Sequence, residues 1–238
     1  MRVLLVEDNK QTAKCIEVML RAENFAVDAT ERGEDAIEIA KLYDHDLIVL
    51  DLDLPDIGGD EVLRRLRSAN VATPVLILSN TSDLDHKVKS LGYGADDFLA
   101  KPFERRELVA RIQAIVRRAK GHAQPVIRAG KLVIDLNART AAVDGTQLRL
   151  TGKEYEVLEL LCLRKGNTVA KETFMDNLYG GDNEPVAKII DIYICRLRKK
   201  LMAATGGEDY IETSYGLGYA LKPPAPRETA AGPELARA

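Results

Sequence analysis

LIVLDLDLPD, Leu47–Asp56, is the stretch whose reading decides the fold of the first half of this chain. Four aliphatic residues that need burial run straight into Asp51, Asp53 and Asp56. An apolar run of this length without alternation suits a strand covered on both faces. Similar runs stand at Val3–Val6, Ala26–Ala29, Pro74–Leu78 and Asp97–Ala100. Between and after them lie stretches of helical period: Thr12–Ala22, Glu34–Leu42, Glu61–Ser68, Asp85–Leu91 and Arg105–Arg118. Strands alternating with helices predict a five-stranded, parallel, doubly wound α/β domain over residues 1–118, of flavodoxin-like type. In that architecture sites lie at the carboxyl ends of the strands.

That placement gives the acids of the opening stretch a meaning. Glu7 and Asp8 follow the first strand and Asp51 follows the third, Leu47–Leu50, and these two strands are neighbours in a doubly wound sheet. Ser79 ends the fourth strand and Lys101 follows the fifth, so five polar groups share one rim. Clustered carboxylates raise one another's pKa unless a cation intervenes. Mg²⁺ suits such a site, because it binds through one or two carboxylates, keeps waters and completes its shell with phosphate oxygens. Lys101 would neutralise a further phosphoryl oxygen and Ser79 would hydrogen-bond one. Asp51, at the centre, is the expected nucleophile and phosphoryl acceptor. Taken singly, Asp53 and Asp56 read as turn acids, Asp60 as a helix cap and Lys101 as a surface lysine.

The 238 residues suffice for two domains, and the composition, 46% hydrophobic and 30% charged with net charge −3, is that of a globular protein. No apolar run approaches the roughly 20 residues of a membrane span, and the N-terminus lacks the apolar length of a signal peptide. Cys15, Cys162 and Cys195 lie far apart without metal-ligand spacing, which predicts free thiols and a reducing, cytoplasmic location. The charge is −4 up to Lys120 and +1 beyond it, so any claim of nucleic-acid binding has to rest on a local cluster.

Residues 119–125 read as a linker, and a different pattern follows over 126–222. KLVIDLNARTAAVDGTQLRL alternates and carries Asp144-Gly145, a hairpin-turn signal. Helical patterns cover Lys153–Arg164, Lys171–Leu178 and Pro185–Met202, and YIETSYGLGYALK closes the segment as a hairpin. Strands, three helices and a terminal hairpin predict an α+β winged helix-turn-helix domain. The last stretch, 223–238, is rich in Pro and Ala and reads as a disordered tail. In Pro185–Leu201, Ile190, Ile194, Leu197 and Leu201 form a stripe for burial. Ile189, Tyr193, Arg196 and Lys200 form an adjacent face, joined by Lys188 and Arg198. Cations mixed with apolar groups suit a helix in the DNA major groove. Arg198, Lys199 and Lys200 would also suit the helix C-terminal dipole with no DNA at all.

LLVEDN, LIVLDLDLPD, LILSN and GADDFLAKPF together resemble the signatures of a two-component receiver domain, from Met1 to about Arg118. The resemblance implies phosphorylation of Asp51, with Glu7, Asp8, Asp51 and the Asp53 carbonyl holding Mg²⁺. It implies a cis Lys101-Pro102 bond and a switch made of Ser79 and Phe98, the latter where many relatives carry Tyr. Asn9 stands where many receivers have another acid. LTGKEYEVLELL, IYICRLRKKL and YIETSYGLGYAL resemble the effector domain of the OmpR/PhoB family. LYGGDNEPVAKIIDIYICRLRKKL, LRKGNTVAKETF and VRRAKGHAQ carry a narrower likeness to its alphaproteobacterial cell-cycle subgroup.

This likeness implies a phosphorylation-activated transcription regulator. It puts Lys188, Ile189, Tyr193, Arg196 and Arg198 on the DNA-facing helix and Thr213 on a phosphate. Tyr215 stands where the family wing usually has arginine, and no cation remains in SYGLGYA. Receiver dimerisation would use Lys87, Asp96, Asp97, Arg111 and Arg118. The implied partners are a histidine kinase or phosphotransferase, promoter half-sites, a second copy of the chain, and RNA polymerase at the loop Tyr179–Glu184. Two other readings compete: a phosphatase built on the Asp51-Leu52-Asp53 pair, and a DNA-binding regulator whose receiver works without phosphorylation. The phosphatase motif, however, belongs on a first strand and before Thr or Val, whereas Leu54-Pro55 follows here.

Overall fold

The computed structural model describes residues 1–80, 84–164, 166–179 and 186–222, without the side chains of 84–87. Its first unit is a parallel sheet of β1 (Arg2–Val6), β2 (Ala26–Thr30), β3 (Leu47–Asp51), β4 (Val75–Ser79) and β5 (Asp97–Ala100). The strand order is β2-β1-β3-β4-β5, the doubly wound arrangement expected. The helices are α1 (Lys10–Arg21), α2 (Gly33–Leu42), α3 (Gly59–Ser68), α4 (Leu84–Gly92) and α5 (Arg105–Ala119).

Successive strand residues point to opposite faces, so each apolar run feeds two cores. Val3, Leu5, Leu47, Val49, Leu76 and Leu78 pack with Ile16 and Leu20 of α1 and Leu108 and Ile112 of α5. Leu4, Val6, Ile48, Leu50, Val75 and Ile77 pack with Ala36 and Ile37 of α2 and Val62, Leu63 and Leu66 of α3. Burial on both faces is why these strands read as continuous apolar runs. The register sets the rim: Val6 pairs with Leu50, Asp51 with Leu78, and Ser79 with Ala100. Asn9, where a further acid was the alternative, is the N-cap of α1. Its side chain accepts bonds from the Gln11 and Thr12 amides, each at 3.1 Å.

The second unit opens with an antiparallel meander, β6 (Val126–Ala129), β7 (Leu132–Asp135), β8 (Thr140–Val143) and β9 (Thr146–Gln147). Asp144 and Gly145 turn β8 into β9 with φ of 48° and 79°, the left-handed pair that a two-residue hairpin requires. Then come α6 (Gly152–Leu163), α7 (Lys171–Tyr179), α8 (Lys188–Thr205) and the hairpin β10 (Ile211–Ser214) and β11 (Gly218–Leu221). Thr151 and Glu154 form a reciprocal capping box at the start of α6. α8 runs three residues past the expected Met202, because Ala203, Ala204 and Thr205 sustain a helix. Gly206, at φ 77°, supplies the left-handed cap that ends it. Pro185, the expected first helical residue, lies outside the described residues, as do the 180–184 part of the expected polymerase loop and the 223–238 tail.

The two units have separate apolar cores. Among the described residues, polar contacts join them. Arg2 binds Asp28 at 2.7 Å and reaches Asp176 of α7 at 3.6 Å, and the His122 ring lies 3.3 Å from the Leu163 carbonyl. Among the described residues, no helix is long and apolar enough to cross a membrane.

Candidate functional site

The rim of the first sheet brings together the groups expected there. Glu7 and Asp51 are buried at 1% and 2% exposure, and Asp8 stands exposed beside them. One carboxylate oxygen from each of the three lies within 4.8 Å of the others. Lys101 reaches in from the end of β5 and donates to Asp51 Oδ2 at 2.8 Å and to Glu7 Oε2 at 2.7 Å. The Lys101-Pro102 bond is cis, as expected. Ser79 is buried at the end of β4. Asp53 is exposed, with Asn80 Nδ2 at 3.4 Å from its carboxylate and its own amide 3.4 Å from Asp51 Oδ1.

Charge bookkeeping shows what such a site lacks. Burial, and then the Asp51 charge, push the Glu7 carboxyl above its usual range despite its bond to Lys101. Burial works against the Lys101 ammonium, yet its bonds to Asp51 and Glu7 outweigh that and raise its pKa. Three carboxylates against one ammonium leave a negative surplus in a partly water-excluded cleft. A hard, oxygen-seeking divalent cation fits that donor set. Glu7, Asp8 and Asp51 would hold it.

The switch candidates lie on the same sheet. Phe98 is buried at 8% exposure among Leu4, Ile48, Ile77 and their neighbours, facing α2 and α3. Of the expected dimer residues, Arg111 donates to Asp97 at 2.7 Å within the same chain. Asp96 accepts from the Val75 amide at 2.9 Å, and Arg118 is exposed. Lys87 falls on α4, but its side chain is outside the described residues.

On α8 the structure redistributes the expected face. Ile190, Ile194, Leu197 and Leu201 are buried, as their spacing predicts. The exposed stripe is Lys188, Ile192, Cys195, Arg196 and Lys199. Lys188 and Arg196 thus face outward. Lys200 is turned away: its amine donates to Glu154 Oε2 and the Arg149 carbonyl, both at 2.7 Å. Arg198 grips the wing, donating to the Ile211 carbonyl at 3.0 Å and the Thr213 hydroxyl at 2.7 Å. The Tyr193 hydroxyl lies 3.0 Å from that of Tyr179, and Ile189 packs against the domain core. Thr213 is half-buried and Tyr215 fully exposed on the hairpin.

The sequence reading missed Ile192 and Cys195. It counted the face next to the buried stripe, whereas residues two positions on from Ile190, on the far side of a 3.6-residue turn, are the ones facing out.

Residues 3–113 match the response regulator receiver domain family, and residues 145–221 match the family described as transcriptional regulatory protein, C terminal. The cell cycle response regulator CtrA of Brucella anthropi is 57% identical over 224 residues, covering 94% of this chain and 97% of that protein. The same figures hold for the Brucella ovis protein. Among solved structures, the Thermotoga maritima OmpR/PhoB homolog DrrB is 28% identical, covers 93% of this chain and 98% of its own, and superposes with a TM-score of 0.46. The Francisella response regulator 1452 receiver domain is 32% identical over 49% of this chain and 97% of its own, with a TM-score of 0.48.

Proposed function

Since the chain belongs to the OmpR/PhoB family of two-component response regulators, in its CtrA branch, we propose that Asp51 receives the phosphoryl group that controls its binding to DNA. The observation that carries this reading is the Lys101 amine bonded at once to Asp51 and Glu7, in the rim where β1, β3 and β5 end. An Asp51 carboxylate oxygen attacks the phosphorus of a phosphohistidine on a kinase or phosphotransferase. The O–P bond forms as the N–P bond breaks, and the departing imidazole keeps the electron pair and takes up a proton. Lys101 leaves its carboxylate partners to neutralise a phosphoryl oxygen, and Ser79 moves to hydrogen-bond another. Mg²⁺, held by Glu7, Asp8, Asp51 and the Asp53 carbonyl, would supply further charge neutralisation. Slow attack by water on the aspartyl phosphate resets the site, so the chain is a phosphoryl acceptor and not a turnover enzyme.

Movement of Ser79 frees space for Phe98, which biases a two-state equilibrium across α4, β5 and α5. Asp97 and Arg111, paired within one chain here, would exchange partners with those of a second copy, together with Lys87, Asp96 and Arg118. The dimer sets two α8 helices on adjacent promoter half-sites and converts two weak contacts into one strong one. Lys188, Ile192 and Arg196 are the side chains best placed to enter the groove, with Thr213 on a phosphate and Lys199 at the margin. The loop following Tyr179 would meet RNA polymerase, and the protein would work in the cytoplasm, on the nucleoid.

The test is labelling of the full chain by a radioactive phosphoryl donor, with and without Mg²⁺, and footprinting with the same preparations. Asp51→Asn is expected to take no label and to bind promoter DNA without cooperativity while keeping its fold. Equal labelling of wild type and Asp51→Asn would end the proposal.

A further inference from the structure

The seam between the two units holds a cluster of cations that neither the acceptor rim nor the exposed stripe of α8 includes. A cleft of about 440 Å³ opens there, between the first half of α5 and the α1–β2 loop on one side and the β7–β8 turn on the other. Val109 and Ala110 give it an apolar lining, and three arginines, Arg105, Arg106 and Arg139, line it against a single carboxylate, Glu23.

Two of these arginines are held in place. Arg105 pairs with Glu23 across the receiver surface. Arg139 lies over the Tyr155 ring, 5.0 Å from its centroid, and reaches Glu156 at 3.6 Å. Its backbone sits at φ 52°, a left-handed conformation uncommon for an arginine. The turn enforces it, because the Asp135 carboxylate accepts from the Asn137 and Ala138 amides at 2.9 and 3.0 Å. Arg106 is exposed and has no ion-pair partner among the described residues. A guanidinium cannot shed its proton to relieve crowding, so an anion is what the cluster lacks.

Arg139 also lines a second cleft of about 200 Å³, which contains no other charged side chain. Leu148 and Leu150 give this cleft apolar walls, while Asn24 from the receiver and Gln147 and Thr151 from the other unit offer amide and hydroxyl groups. We propose that the two clefts together bind a nucleoside polyphosphate, with its phosphates on Arg105, Arg106 and Arg139 and its base between Leu148 and Leu150. The planar fork of a guanidinium matches phosphate oxygens in pairs, and arginines spread along a cleft suit a chain of phosphates better than one. Inorganic polyphosphate shares that chemistry but leaves the second cleft empty. A ligand that touches both units gives its binding free energy to the arrangement in which they lie side by side. The Arg2–Asp176 contact, at 3.6 Å, supplies little of that itself. The nucleotide thereby adds a second control on the position of the DNA-binding unit, independent of Asp51.

The test uses the full chain in EDTA, so that no Mg²⁺ draws phosphates to the acceptor rim. ATP, GTP and inorganic tripolyphosphate are titrated separately by calorimetry, and hydrogen exchange is followed with and without each. At least one nucleotide is expected to bind one equivalent, about tenfold more tightly than tripolyphosphate, and to protect amides in both 105–110 and 137–140. Arg106→Ala, on an exposed helix position where alanine keeps the fold, is expected to weaken that binding about tenfold. Arg106→Lys is expected to recover part of it, since it restores the charge without the fork. Arg196→Ala on α8 is expected to leave nucleotide affinity unchanged. Failure of both nucleotides to bind would overturn the inference, and so would tripolyphosphate binding as tightly as either. Affinity that falls with Arg196→Ala and not with Arg106→Ala would assign the phosphates to the DNA-binding helix instead. Protection confined to one unit would overturn the bridge. All of these outcomes leave phosphorylation of Asp51 standing.

Discussion

At the scale of single residues, two carboxylates with opposite electrostatics show where stability and function part. Asp56, in the loop after β3, accepts from the Gly33 and Glu34 amides at 2.9 and 3.0 Å, and so caps α2 from outside that helix. The sequence marked it only as a turn acid, because its target lies 23 residues away. Burial opposes its charge, but those amides pull the Asp56 carboxyl down to about 2. A depressed carboxyl stabilises the fold fully above its unfolded value of about 3.9 and loses that contribution as pH falls toward 2. Asp56→Ala should therefore lower stability by about 1 kcal/mol at neutral pH. In urea unfolding, its gap from wild type should close between about pH 4 and pH 2; a gap that persisted into strong acid would refute the capping role. Glu7 has the reverse sign. Its raised pKa means that the folded state is penalised as pH climbs above the ordinary Glu range. Glu7→Gln should raise the urea midpoint at pH 7 in EDTA. Added Mg²⁺ should then stabilise wild type through binding linkage, but leave the variant nearly unmoved. A variant less stable than wild type in EDTA would contradict the charge argument.

At the scale of elements, α8 shows how much could be read in advance and what could not. Its buried stripe was legible because apolar spacing is a local property, and the strands of the receiver were legible for the same reason. The rim was legible too, since a parallel sheet fixes which strand ends meet. The partners of individual cations were not legible, because they are set by residues remote in sequence. Lys200 finds Glu154, 46 positions away, and Arg198 finds Thr213 on the wing. The consequence is a contrast between neighbouring cations. Lys200→Ala removes the ammonium facing a carboxylate that is only 2% exposed, and should cost about 1–3 kcal/mol of stability while changing DNA affinity little. Arg196→Ala, on the exposed stripe, should leave the unfolding midpoint in place and cost about 1–3 kcal/mol of DNA binding if the guanidinium bonds a base edge. Thermal melts and anisotropy titrations on both variants decide the matter. The reverse assignment, Lys200 affecting DNA and Arg196 affecting the fold, would show that α8 presents the face first read from its sequence.

At the scale of the whole molecule, the governing fact is that, among the described residues, the apolar cores of the two units share no member, so no single packed core carries a signal from one to the other. Arg2 with Asp176 at 3.6 Å and His122 with the Leu163 carbonyl at 3.3 Å are long polar contacts that add little rigidity between the units. A rigid lever from Asp51 to α8 is therefore a poor account of control. Dimerisation is a better one, because it acts on where two DNA-binding units are held and requires no change inside either. This makes a separable prediction. A fragment spanning 121–222 should fold on its own core and bind a single half-site with nearly the affinity of one intact unphosphorylated chain. On a paired site, the phosphorylated full chain should exceed the fragment by about 10²–10⁴-fold, the range that effective concentration supplies, and phosphoryl donor should have no effect on the fragment. Sedimentation of the full chain should show dimer appearing with label over the same titration. If phosphorylation strengthened binding to an isolated half-site as much as to a paired one, with the chain still monomeric, the signal would have to travel through the domain contact, and Arg2→Ala would then be the variant that uncouples it.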